Sequence, residues 1–271
     1  MCMMLQVSKT SYYEWLNNPI SKRIARNNQL DYLIKSIFVE HKGRYGSTRI
    51  YHELKYRGIS CTRSFISERM KLLGLIAKAR RKFKATTDSK HNKKVAPNLL
   101  QQDFTATSTN KKWVTDITYI PTSEGWLYLC VFIDLYSRIV IGWSMSKSLH
   151  SQLVTDALTM AIFRRKFPKD VIIHSDRGVQ YCSDPYLKLL NKYKLLPSMS
   201  AKGNCYDNAA MESFFHTLKV ELIHDMSYNT REIAKSSIVE YIECYYNRKR
   251  RHSSIGYQIP IDFDLSLSLV A

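Results

Sequence analysis

The chain has no cysteine pair at a metal or redox spacing, no long apolar run and few acids for its size. Its six cysteines, Cys2, Cys61, Cys130, Cys182, Cys205 and Cys244, are scattered and none forms a C-x-x-C. That pattern excludes a disulfide framework and fits a reduced, cytoplasmic setting. No paired His and Cys ligands at zinc spacing precede residue 110, so no structural zinc is expected. The longest apolar run, Leu127 to Ile133, is far too short to span a bilayer. The opening MCMMLQVSKT lacks a charged start followed by an apolar stretch, and no lipidation signal is visible, so neither export nor a membrane is expected.

The shortage of acids has a partner. Lys and Arg number 41 against 23 Asp and Glu, a formal net charge of +18, which favours a polyanion and above all nucleic acid. The bland alternative is a basic protein with no specific partner. At 271 residues the chain has room for two domains, one of them small.

Three acids stand out by their settings: Asp116 in WVTDITYI, Asp176 in VIIHSDRGVQY and Glu212 in GNCYDNAAMESFFHTLK. The first two lie in or just after short β-rich runs, and the third follows a helix-start signal. Strand ends and a helix can bring them together. Two carboxylates about 4 Å apart repel by roughly 4 kcal/mol at an effective dielectric near 20, so such a cluster calls for a cation. A hard, oxygen-seeking ion fits best: Mg²⁺ or Mn²⁺. Each acid alone also has a plainer reading, Asp116 as a strand-end residue, Asp176 as a turn former and Glu212 as a surface helix residue. Asp134, in FIDLYSR, is a control near another strand end and is assigned to turn structure.

The words around these acids, HSDRG with QY before the interval and DNA, MESFF and LK after it, resemble the DDE transposases and retroviral integrases. The likeness is closest to the second-reading-frame transposases of the bacterial insertion-sequence-three family, and runs from about Leu30 to Pro260. The missing zinc ligands depart from the retroviral integrases. The resemblance implies an α/β fold, a ribonuclease H-like mixed sheet flanked by helices, preceded by a small all-α helix-turn-helix domain. It implies that the first and fourth strands are neighbours, which sets Asp116 beside Asp176. It makes Asp116, Asp176 and Glu212 both catalytic residues and metal ligands, with two ions, and matches Asn204, Asp207, Asn208 and Lys219 in the same words. It also implies a mobile-element enzyme acting in the bacterial cytoplasm at the nucleoid, with an upstream reading-frame product as partner or fusion.

Along the chain, SKTSYYEWL reads as a Ser8-capped helix in an N-terminal fragment, residues 1–28. Residues 29–75 carry three helical patterns around a GRYG break, like a helix-turn-helix, the last with Arg63, Arg69 and Lys71 placed to meet DNA. A plain three-helix bundle is the alternative. Residues 76–108 form a basic linker including Arg80, Arg81 and Lys82. It is expected to be solvated in free protein and to follow phosphates on DNA.

The catalytic core is expected over 109–228, as three strands, helix, strand, helix, strand, helix. Arg177 and Lys219 are candidate DNA contacts, as are Asn204 and Asn208. Asp207 is the expected N-cap of the last helix, and His216 shares an edge of it with Glu212 and Lys219. His174 is a supporting group or a satisfied core histidine. Residues 229–271 give a helix and a basic tail, where Arg248, Arg250 and Arg251, with Tyr245, Tyr246 and His252, either grip phosphates and unstacked bases or close the core.

Cleavage that frees a 3′-hydroxyl, then strand transfer by that hydroxyl, needs double-stranded DNA of element ends and target, and a homo-oligomer to bring two ends together. A DNA-binding regulator and a ribonuclease H-like nuclease without strand transfer are the alternatives.

Overall fold

The computed structural model describes residues 1–17, 21–78, 95–201 and 205–268, in two compact units, 1–79 and 80–271. Arg80, Arg81 and Lys82 lie outside the described residues, as does Asn204.

The first unit holds α1 (Lys9–Asn17), α2 (Lys22–Glu40), α3 (Ser47–Tyr56) and α4 (Arg63–Leu72). Side-chain oxygens start three of them: Ser8 Oγ, as expected, accepts from the Ser11 amide at 3.5 Å, Ser21 Oγ from the Ile24 amide at 3.3 Å and Thr62 Oγ1 from the Phe65 amide at 3.2 Å. The Ser21 cap sets the start of α2 earlier than the Gln29 at which the pattern reading began. Ile34, Ile37, Tyr45, Ile50, Leu54, Ile66 and Met70 fill the core between α2, α3 and α4. After the His41 C-cap of α2 the chain turns left-handed at Lys42, φ +52°, and Gly43, φ +72°, whose amides donate to the Val39 carbonyl at 2.8 Å and the Phe38 carbonyl at 2.9 Å. By contrast α1 buries none of its residues.

The second unit is a five-stranded sheet in the order β3-β2-β1-β4-β5. β1 (Lys112–Thr122), β2 (Gly125–Asp134) and β3 (Val140–Ser146) are antiparallel, while β4 (Ile172–Ser175) runs parallel to β1 and β5 (Leu196–Met199) parallel to β4. Both faces are covered, and the period of two sorts the residues. Trp113, Cys130 and Phe132 face α5 (Ser151–Arg164) and α6 (Asp184–Lys192). Val114, Ile120, Leu129, Val131 and Ile133 face α7 (Ala209–Glu221) and α8 (Arg231–Val239), which continues as a π-helical stretch, Glu240–Tyr246. A final helix, α9, spans Pro260–Ser268. α8 and its extension therefore share the core of the sheet. β3 and α5 pack so closely that a Cβ on Gly142 would lie 2.3 Å from the Ala157 carbonyl oxygen.

Asp134 forms the turn expected of it. Its Oδ2 accepts from the Asn110 amide at 2.8 Å and its Oδ1 from the Tyr136 amide at 2.9 Å, and Arg165 lies 3.5 Å away.

Candidate active site

Register places the first two acids. β1 and β4 pair as Lys112–Ile172, Trp113–Ile173 and Val114–His174, so Asp116 and Asp176 both stand two residues past the last rung. Asp116 is half-buried and its Oδ1 accepts from the Ile117 amide at 2.8 Å. Asp176 opens the turn after β4, with its Oδ1 accepting from the Gly178 amide at 2.9 Å. A Cβ on Gly178 would meet that same oxygen at 3.0 Å, so glycine keeps the turn tight. Arg177 Nε donates to the Ser200 carbonyl at 2.7 Å, tying the turn to the end of β5.

The third acid comes from α7. Met211, Phe214, Phe215 and Leu218 anchor one stripe of this helix in the core, leaving Glu212 exposed and His216 and Lys219 partly so along the adjoining edge. Burial raises the Asp116 carboxyl well above the usual carboxylate range, and the charges of Asp176 and Glu212 push it the same way. Lys219 opposes that rise. Its own ammonium is lowered by burial and raised by Asp116.

The three carboxylates and Lys219 thus share one electrostatic neighbourhood. Among the described residues no group of three His, Cys, Asp or Glu is drawn together closely enough to hold a metal ion as it stands. The donor set is nonetheless all carboxylate oxygen, the chemistry Mg²⁺ and Mn²⁺ prefer. The mutual repulsion felt at Asp116 is what a divalent cation relieves, so the residues fit such an ion.

Around this centre the polar groups are locked. His174 is fully buried, with Nδ1 2.9 Å from Ser198 Oγ and Nε2 3.2 Å from Ser200 Oγ, and burial pushes its pKa down to about 4. It is a satisfied core histidine beneath the site. Asp207 does not cap α7. It sits in a short 3₁₀ turn, Cys205–Asn208, and its buried carboxylate accepts from Asn98 Nδ2 at 3.1 Å, Gln102 Nε2 at 3.0 Å and the Ala201 amide at 2.7 Å. Neither Asn98 nor Gln102 stood out in the sequence, since nothing local links them to Asp207. Asn208 takes the N-cap position without a side-chain cap bond and is buried.

Several expected DNA contacts have structural partners instead. Arg250 is buried, with Nε 2.9 Å and Nη2 2.7 Å from the Glu221 carboxylate, which also accepts from the Tyr241 hydroxyl at 2.8 Å. Arg251 is buried and donates to the Tyr257 carbonyl at 3.1 Å. Tyr245 and Tyr246 belong to the core, so they are not base-gripping groups. Arg69 Nε bonds Asp31 Oδ1 at 2.7 Å, clamping α4 to α2. Arg63, Lys71 and Arg248 are exposed.

Comparison with known proteins agrees with this architecture. Residues 106–205 match an integrase core domain family, residues 212–265 a second integrase core domain family, and residues 25–83 an HTH-like domain family. A chain of the simian T-cell lymphotropic virus intasome, solved in complex with PP2A regulatory subunit B56 gamma, superposes with a TM-score of 0.50 at 16% identity, covering 79% of this chain and 70% of that one. These likenesses define an integrase-core polynucleotidyl transferase with a ribonuclease H-like catalytic fold.

Curated relatives narrow the class. The transposase InsF for insertion sequence IS3A of Escherichia coli strain K12 is 47% identical over 97% of this chain and 92% of its own length. An IS600 insertion-element protein of 31 kDa from Shigella sonnei is 43% identical over 97% of both chains. The chain belongs to the IS3 family of transposases. No helix among the described residues is long and apolar enough to cross a membrane.

Proposed function

We propose that Asp116, Asp176 and Glu212 are the catalytic carboxylates of this transposase and its ligands for Mg²⁺ or Mn²⁺, two ions in the active state. The observation that carries the reading is the shared register step of Asp116 and Asp176, with Glu212 and Lys219 acting on the same Asp116 carboxyl. Bound ions supply activation of the attacking oxygen and stabilisation of the leaving one.

The chain's own residues position the DNA. Lys219, on the α7 edge beside Asp116, meets a phosphate next to the reacting one. The Arg177–Ser200 bond holds the turn that presents Asp176. In cleavage, a water oxygen attacks phosphorus at an element end and the P–O3′ bond breaks, freeing a 3′-hydroxyl. In strand transfer, that hydroxyl attacks a target phosphodiester and displaces another 3′-oxygen. One phosphodiester forms for each one broken, so the joining needs no energy source and no covalent protein intermediate.

DNA engagement outside the core rests on exposed cations. Arg63 and Lys71 on α4 suit a groove-facing helix, and Arg248 suits a phosphate. The segment 76–108 is read as the basic linker between the DNA-binding and catalytic units, and 229–271 as a closing helix and tail. A homo-oligomer is needed to hold two ends. The exposed Tyr12, Tyr13, Trp15 and Leu16 of α1 offer a face for an upstream reading-frame product. Nucleoid association follows from DNA binding.

The test pairs wild type with Asp176→Asn on labelled element-end DNA in Mg²⁺. Cleavage should vanish in the variant while affinity for the end is kept. Equal cutting by the variant overturns the carboxylate assignment, and a wild type that binds without cutting favours the regulator.

A further inference from the structure

β4 pairs with β1 only as far as Val114, whereas β2 follows β1 to the hairpin, where Thr122 opposes Gly125. Among the described residues the β4 side of β1 has no strand neighbour from Asp116 onward, and Asp116 stands at the head of that open edge. Tyr119 lies further along that edge, and Trp126 stands on the neighbouring β2 at the hairpin end. They are diagonal cross-strand neighbours on one face, since Tyr119 opposes Tyr128 and Pro121 opposes Trp126. Their rings meet edge to face, centroids 5.0 Å apart at 80°. Rings of this size usually lie buried, yet Tyr119 is 41% and Trp126 48% exposed.

A cation joins them to the active site. Lys219 comes from α7, which packs on the opposite face of the sheet, and the open edge lets its Nζ lie 5.3 Å from the Tyr119 ring centroid. The same ammonium interacts with the Asp116 carboxylate. Arg231 backs the platform, its Nε donating to the Trp126 carbonyl at 3.0 Å. Two exposed rings beside a cation, in the catalytic neighbourhood of a chain of net charge +18, have the chemistry that holds single-stranded nucleic acid: a ring for the base and a cation for its phosphate.

We infer that Tyr119 and Trp126 form a stacking platform for a nucleobase unstacked from the element end next to the reacting phosphate, with Lys219 on the adjoining phosphate. The inference rests on the carboxylate reading above. Separating the reacting strand at a duplex end loses base stacking, and an aromatic platform offsets that cost. A base stacked here is held within reach of the same lysine that neighbours Asp116. Stacking reads no base edge, so the platform is expected to tolerate any base and to act on the rate rather than on sequence choice.

The experiment uses the full chain with element-end duplexes carrying 5-iododeoxyuridine at single positions near the cleavage point, irradiated in Ca²⁺ and mapped by peptide mass. Wild type and Asp176→Asn should both crosslink at Tyr119 or Trp126 from one position. Tyr119→Ala and Trp126→Ala should lose that crosslink, and strand transfer should fall on the order of ten-fold. Tyr119→Phe should retain both, and an end with a mismatch at that position should recover part of the alanine variants' loss. Crosslinks elsewhere on bound DNA, or wild-type rates in both alanine variants, overturn the platform. So does a Tyr119→Phe loss equal to that of Tyr119→Ala with a lowered unfolding midpoint, which assigns the rings to the fold. Crosslinking at the platform together with cleavage by Asp176→Asn instead fails the carboxylate reading alone.

Discussion

Asp116 within β1 and Asp176 just past β4 stand at the same step on adjacent parallel strands, each two residues beyond the Val114–His174 rung, so the sheet itself sets two like charges side by side. Such an arrangement destabilises the fold in the absence of a cation. Asp116→Asn should therefore raise stability by about 1 kcal/mol without divalent ions, as active-site charges often trade stability for function. Urea denaturation with and without Mg²⁺ checks it: wild type should gain stability from the ion and the variant should gain much less.

The buried Arg250–Glu221 pair is structural. Removing one partner leaves a charge in the core, so Arg250→Ala should cost about 3–5 kcal/mol. Exposed Arg248 contrasts with it. Arg248→Ala should leave stability within about 0.5 kcal/mol while weakening DNA binding, and an equal loss of stability in both variants would reject the distinction.

In the first unit, Arg63→Ala and Lys71→Ala should each lower the slope of log affinity against log salt by about 1 with the unfolding midpoint unchanged. Arg69→Ala should act the other way round, loosening α4 from α2. Filter-binding titrations across salt, beside thermal melts, separate the two effects.

Gly142→Ala tests the layer packing. Its Cβ would crowd the Ala157 carbonyl oxygen at 2.3 Å and the Ala161 backbone nitrogen at 2.8 Å, so α5 must shift off β3. A loss of about 1–3 kcal/mol is expected in chemical denaturation. No loss would mean the helix moves freely over the strand.

The succession of strands and helices was legible because strand periodicity, turn residues and the words around the acids all point the same way, while of the sheet's strand order only the neighbouring of β1 and β4 was expected, by resemblance. The helix starts were less so, since Ser21 extends α2 and a 3₁₀ turn takes Asp207 out of its expected cap position. The roles of the arginines were not legible. Whether a cation faces DNA or a buried acid depends on partners distant in sequence, as with Arg250 and Glu221 or Arg69 and Asp31. Tyr119 and Trp126 escaped notice for a related reason: an aromatic in a strand reads as core, and these two stand at the hairpin end of β1 and β2, past the last rungs with β4 and β3.

The most direct test of the account measures Mn²⁺- and Mg²⁺-dependent cleavage and strand transfer by wild type, Asp116→Asn, Asp176→Asn and Glu212→Gln, with Asp134→Asn, folded and DNA-bound, as the control. The three acids acting as one unit predict that each single variant loses both products about as completely as the others, while Asp134→Asn retains them. Full activity in any one of the three variants would contradict the central claim.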